Sequence, residues 1–256
     1  MSAPENSAAG VGAFFDVDGT LVPGPSLEWR FIGFLMARGE ISAAQVGGWL
    51  GEFLANLPRD AHRAIEANKR YLGGIRESLA GEWENAAGTG FSRGLDSLPY
   101  FDEAVRQLAW HCAQGHRVFL VSGTLAPLAR AVAHALLDLF GVEIEVCATE
   151  LAVGREFPRI WTGRIAGEHM SGSAKLRAVK ALAARYGLDL ARSYAYGDRL
   201  ADVPMLAAVG HPVAVNPERG LARFARRRGW GICRWKLSDV SAGSAAARQA
   251  VAKAVR

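Results

Sequence analysis

The sequence predicts an α/β protein: a doubly wound parallel sheet, Rossmann-like in layout, that carries an inserted all-helical segment. Three observations predict it. Short apolar runs alternate with helical patterns between Pro99 and Pro217. A first apolar run, Val11 to Phe15, stands apart near the N-terminus. Between the two lies a long stretch of helical periodicity without a strand-like run.

Taken in order, Val11 to Phe15 follows Gly10 and runs straight into an acidic, glycine-containing turn, as a buried parallel strand does where it ends in a loop. Beyond it Trp29, Ile32, Leu35 and Met36 recur at helical spacing, followed by Val46, Trp49, Leu50, Phe53 and Leu57, then by Ile65, Leu72, Ile75 and Leu79. Gly39, Pro58 and Gly73-Gly74 punctuate this series. Residues 24–92 therefore read as a helical insertion in a core made of residues 11–23 and 93–235, with tails at 1–10 and 236–256. After Pro99 the expected elements are a helix from Phe101 to Gln114, a strand from Arg117 to Val121 and a helix from about Leu125. A strand from Val142 to Ala148, an extended piece from Trp161 to Ile165 and a helix from Lys175 to Tyr186, stopped by Gly187, come next. Ser193 to Tyr196 is a strand, Ala201 to Val209 a helix and His211 to Val215 the last strand, before Asn216-Pro217. From Lys236 onward the chain is rich in Ala and Ser, able to form a helix but without a motif.

Composition narrows the setting. With 256 residues, half of them apolar, the chain can bury a sizeable core. A net charge of +5 admits an acidic partner, and a small phosphorylated metabolite meets that demand as well as nucleic acid does. The densest basic cluster, Arg223, Arg226, Arg227 and Arg228, reads as a solvated helix end, so no nucleic-acid partner is expected. Cys112, Cys147 and Cys233 are widely spaced with no C-x-x-C pair, which predicts reduced, buried thiols. The start MSAPENSAAG lacks the basic and apolar regions of a secretory signal, and Arg38, Glu40 and Glu52 interrupt the most apolar stretch. A cytoplasmic protein with no membrane span is the expectation.

Chemistry-bearing residues gather at the ends of the expected strands. Asp16 and Asp18, in Asp16-Val17-Asp18-Gly19-Thr20-Leu21, leave a tight loop near a common point, so one can attack while the other handles protons. Ser122 and Gly123, in Val121-Ser122-Gly123-Thr124, offer a hydroxyl and main-chain amides to a phosphoryl oxygen at the opening of a helix. Lys175 sits in the first turn of its helix, where a cation is not favoured, and so hints at a fixed anion. Asp198 and Asp202 lie one helical turn apart beyond a strand, where a hard cation with oxygen ligands, above all Mg²⁺, would relieve their repulsion. Each segment alone also fits an ordinary role: a turn cap for Asp-x-Asp, a helix N-cap for Ser122, a surface lysine, and two aspartates decorating a helix N-terminus.

In this order the four segments resemble the motifs of the haloacid dehalogenase superfamily, and the inserted helices resemble the cap of its phosphoserine phosphatase-like subfamily. The resemblance implies a phosphatase with Asp16 as nucleophile and Asp18 as general acid and base. It further implies Ser122, Gly123 and Lys175 as phosphate ligands, Mg²⁺ held by Asp16, Asp18 and Asp198, and Thr20 and Asp202 in support. The second carboxylate, Asp18, disfavours carbon-halogen chemistry, which relatives lacking it perform. Where phosphoserine phosphatases carry a glutamate in the first-motif loop, this chain has Pro25. Glu28, about 5 Å further along a helix, reads as a poor substitute. Ala201 replaces the family's asparagine before the last aspartate. Two rival readings stay open: a phosphotransferase or phosphomutase using the same aspartate, and a catalytically idle binding protein. The cap aromatics Trp29, Trp49, Tyr71 and Trp83 either stack on a substrate or pack the helices.

Overall fold

The computed structural model describes residues 9–56, 69–88 and 98–237. Its centre is a six-stranded sheet built from β1 (Gly12–Phe15), β2 (Arg117–Leu125), β3 (Glu145–Thr149), β6 (Tyr194–Gly197), β7 (His211–Val215) and β8 (Gly231–Cys233). The order is β3-β2-β1-β6-β7-β8, and every pairing is parallel. The chain thus winds outward from β1 to β3 and then crosses to β6, on the other side of β1. That reversal opens a crevice at the carboxyl ends of β1 and β6, the place where doubly wound sheets bind ligands.

Both faces of the sheet are covered, as the near-continuous apolar strands require. Phe14 and Phe15 show the alternation: Phe14 points into one apolar cluster with Phe119, Val121 and Ala195, and Phe15 into the other with Leu120 and Tyr196. The first cluster packs under α6 (Ser173–Tyr186), α7 (Val203–Leu206) and α8 (Arg219–Arg228). The second lies under α4 (Asp102–Ala113) and α5 (Ala126–Phe140) and continues into the inserted helices through Phe31, Leu72 and Trp83. Phe15 and Tyr196 stack at 4.3 Å, which ties the end of β1 to the end of β6 just below the crevice.

The inserted segment contains α1 (Leu27–Ala37), α2 (Ala43–Asn56), a 3-10 turn at Arg70–Leu72 and α3 (Ser78–Gly88). Ser26 caps α1, its hydroxyl accepting from the Trp29 amide. The expected helical positions around Ile65, the lower cap boundary near residue 92 and most of both tails lie outside the described residues. Gly10, assigned to the N-terminal tail, already pairs with Leu188 and donates to the Gly187 carbonyl, so the core begins there.

Several elements differ from expectation. β2 does not stop at Val121 but continues through a register shift to Leu125, so Ser122 and Gly123 sit on an irregular strand end rather than on a helix N-terminus. The extended piece β5 (Trp161–Ile165) pairs antiparallel with β4 (Leu151–Val153), a strand too short to show a period. This hairpin bonds to the inserted segment: Gly74 donates to the Trp161 carbonyl, Trp161 to Ile75 and Glu77 to Arg159. The helix expected over Ala201–Val209 contracts to a 3-10 turn at Leu200–Asp202 and the short α7, with Pro204 in its first turn. His211–Val215 is not the last strand, since β8 follows a helix that Gly229 terminates in left-handed conformation. The Arg226–Arg228 cluster is the exposed last turn of that helix. The three cysteines are free but only partly buried.

Candidate active site

Asp16 is the first residue beyond β1, and its amide donates to the Tyr196 carbonyl of β6, so its position is fixed by both strands at the crossover. The loop then turns back on itself, with the Leu21 and Val22 amides on the Val17 carbonyl and the Gly19 amide on Val22. Gly19 has φ +83°, and a Cβ there would stand 2.2 Å from an Asp198 carboxylate oxygen. Only glycine lets this loop meet the loop after β6.

Lys175 joins three loops. It is 3% exposed, and its ammonium donates to Asp16 Oδ1 at 2.7 Å and to Asp202 Oδ1 at 2.6 Å. Burial alone would lower its pKa, but the two carboxylates outweigh that and hold it above the ordinary lysine value. Asp202 uses its other oxygen to accept from the Asp198 and Arg199 amides, at 3.1 and 3.0 Å. Gly197 makes this approach feasible, since a Cβ there would stand 2.6 Å from Asp202 Cβ. The Ser122 hydroxyl donates to Asp16, and the Gly123 carbonyl accepts from Thr149 at 2.8 Å. Thr20, expected in support, is fully buried and its hydroxyl has no partner.

The two loop aspartates are both pushed toward the protonated form, by different surroundings. Burial first, and Asp202 second, push the Asp16 carboxyl upward, against the pull of Lys175. Asp18 accepts from the Leu27 amide at 2.8 Å, at the start of α1. Burial, with the Asp16 and Glu28 charges, raises Asp18 to about 6 despite that bond. Asp198 is pushed to about 8 by burial and by Asp16 and Asp202, and its buried Oδ1 has no partner.

Among the described residues, Asp16, Asp198 and Asp202 offer carboxylate oxygens within 4.8 Å of one another, a donor set suited to a hard cation. The Asp18 carboxylate, expected as a metal ligand, stands outside this cluster and faces the Leu27 amide. The same loops form the floor of a cavity of about 480 Å³ whose walls reach into the inserted helices.

A profile of the haloacid dehalogenase-like hydrolases matches residues 13–207, which contain every residue just described. The chain belongs to that family. Over 239 residues it is 32% identical to phosphoserine phosphatase SerB1 of Mycobacterium tuberculosis (strain ATCC 25618 / H37Rv), covering 90% of this chain and 72% of the relative. A crystal structure of a Bordetella pertussis Tohama I protein of unknown function superimposes with TM-score 0.71 at 28% identity, covering 91% of this chain and 99% of that one. A probable phosphoserine phosphatase from Vibrio cholerae shares the fold, with TM-score 0.62 at 18% identity over 95% of this chain and 66% of that one. As a haloacid dehalogenase-like hydrolase the chain is an enzyme, and its parallel sheet is that family's core. Among the described residues no helix is long and apolar enough to cross a membrane.

The cavity also gathers residues that sequence reasoning passed over. Glu28, discounted for its displacement from Pro25, lines the wall, because Ser26 starts α1 early enough to turn that side chain inward. Lys69 is fully buried and paired with Glu28. Nothing in a helical stretch marks such a lysine as different from a solvated one. His169 lines the cavity beside Gly123, its pKa lowered to about 4 by burial and by Lys69 and Lys175. Of the cap aromatics, Trp29, Trp49 and Tyr71 line the cavity, whereas Trp83 is buried against Phe31.

Proposed function

We propose that the protein is a Mg²⁺-dependent phosphomonoesterase acting on a small phosphorylated metabolite through an aspartyl phosphate on Asp16. The observation that carries the reading is the pair Asp16 and Asp18, two residues apart but set in opposite roles. Asp16 is ion-paired to a buried lysine, and Asp18 is tuned to about 6, near the pH at which it must both give and take a proton.

Asp16 and Asp198 would hold the metal, with Asp202 engaged by Lys175 and two amides and so fixed as their support. The fit rests on the orphaned Asp198 oxygen and on three clustered carboxylates that face one buried lysine and the largely exposed Arg199, 3.7 Å from Asp198, a remaining negative charge that a divalent cation offsets. When bound, the cation supplies charge neutralisation for the approach of a phosphate dianion to a carboxylate. Lys175, the Ser122 hydroxyl and the Gly123 loop receive phosphoryl oxygens. The Asp16 carboxylate attacks phosphorus and the ester P–O bond breaks; Asp18 donates its proton to the leaving alkoxide. Asp18 then takes a proton from water, which attacks phosphorus, breaks the bond to Asp16 and releases inorganic phosphate. Residues 24–92 act in this scheme as the cap over residues 11–23 and 93–235, and the Asp18–Leu27 hydrogen bond links the cap's first helix to the proton-transfer group.

The test is phosphate release from a panel of phosphate monoesters and p-nitrophenyl phosphate, with Mg²⁺ and after EDTA. Stoichiometric phosphate without an added acceptor, abolished by EDTA and restored by Mg²⁺, supports the reading. Product formation only with a second acceptor would replace it by phosphotransfer, and full activity after chelation would remove the metal.

A further inference from the structure

Beyond the reacting carboxylates, the cavity wall presents an acceptor and an unused donor. Glu28 on α1 has one oxygen, Oε1, committed to the ammonium of the fully buried Lys69, with the Tyr71 hydroxyl 3.5 Å from the same atom. Tyr71 stays protonated, since burial and Glu28 raise its pKa well above the ordinary value. Among the described residues no hydrogen bond engages the second oxygen of Glu28, and Glu28 lines the cavity. Asp18 accepts from the amide of Leu27, the residue next to Glu28, and both carboxylates line the cavity, so a leaving group whose oxygen meets Asp18 extends along the wall that carries Glu28. On the same wall the Trp49 ring lies 4.7 Å from Tyr71, and the Trp49 indole N–H is buried without an acceptor.

These groups define a chemical preference. A hydroxyl can donate to Glu28 and accept from the Trp49 N–H, whereas an ammonium can only donate and would leave the indole unpaired. Lys69 already neutralises Glu28 from behind, so the subsite presents no net charge to draw a cation. Burial first, then the charges of Lys69 and Lys175, lower the His169 pKa to about 4, and an ammonium placed beside these lysines would meet the same two costs.

Resting on the phosphatase reading, we infer that the Glu28–Lys69 pair and Trp49 form a leaving-group subsite that selects phosphate esters of alcohols bearing a second, uncharged hydroxyl over those bearing an ammonium. Lys69 is a positioning residue, and Glu28 and Trp49 are the specificity residues. The subsite therefore favours polyol-like or sugar-like phosphates and disfavours phosphorylated amino alcohols.

The experiment compares 2-hydroxyethyl phosphate with 2-aminoethyl phosphate, which differ only in the terminal group, using p-nitrophenyl phosphate as a general substrate. The full chain with Mg²⁺ is expected to favour the hydroxy ester in kcat/KM by on the order of tenfold, with the difference in KM. Trp49→Phe, which keeps the ring and removes the N–H, should lower kcat/KM for the hydroxy ester several-fold while sparing the amino ester. Lys69→Met should invert the preference by leaving Glu28 uncompensated. Should that variant not fold, the double variant Glu28→Gln with Lys69→Met keeps the subsite neutral, with an acceptor at position 28 and the Trp49 N–H in place, and should retain the preference for the hydroxy ester. Hydrolysis of both esters without preference, a preference for the amino ester, an unaltered preference in Trp49→Phe, or its loss in the neutral double variant would overturn the inference while leaving the phosphatase reading intact. Failure to hydrolyse any ester, p-nitrophenyl phosphate included, would overturn both.

Discussion

The two ends of the cavity are built on opposite electrostatic plans. At the floor, three carboxylates cluster, two of them paired to one buried lysine, and burial with the charges of Asp16 and Asp202 pushes the third, Asp198, to about 8, one of its oxygens having no partner among the described residues. At the wall, one carboxylate faces one buried lysine in aromatic surroundings, and the charges cancel. In the proposed scheme the floor takes up a cation and a phosphate, and the wall reads hydrogen bonding in the leaving group. Substitutions at the two ends should therefore differ in kind.

The largest effect belongs to the floor. Asp16→Asn should reduce phosphate release below detection while circular dichroism shows a retained fold; near-normal turnover would remove Asp16 as nucleophile. Next, Asp18→Asn should lower kcat by on the order of 10²- to 10⁴-fold, because proton transfer to the alkoxide is lost. An unchanged kcat would mean that another group carries the proton.

Stability should separate the ends as well. Asp202→Ala strips Lys175 of one of two partners and leaves the Asp198 and Arg199 amides without their acceptor. Chemical denaturation should show a loss on the order of 3 kcal/mol. Replacing the whole wall pair, with Glu28→Gln and Lys69→Met together, should change stability by less than about 1 kcal/mol, since removing both members of a buried pair strands no charge. A double variant as costly as Asp202→Ala would mean that the wall pair holds the cap together rather than tuning the subsite.

The same division explains what the sequence disclosed. Asp16, Ser122 and Asp198 each stand at or beside the end of an apolar strand, so strand pattern and chemical type coincide within a few residues and the floor was readable. Lys175 betrayed itself by its unfavourable place in a helix's first turn. At the wall, Glu28 and Lys69 come from separate parts of the helical segment and meet only in the folded chain. Their types match those of solvated helix residues, and no local pattern distinguishes them. The strands β4 and β8 were missed for a related reason: three residues cannot display an alternation, and pairing across the fold defines them. β2 outran its expected end at Val121 because pairing with β3 persists to Leu125, right up to the helix start expected there.

The central claim is that Asp16 carries the phosphoryl group, and borohydride trapping tests it most directly. A borohydride quench during turnover with p-nitrophenyl phosphate, followed by peptide mass spectrometry, reads which aspartate had become an acyl phosphate. The account predicts reduction to homoserine at position 16 and an unmodified Asp18. Sustained phosphate release with no reduction at position 16, or with reduction at position 18 instead, would contradict it.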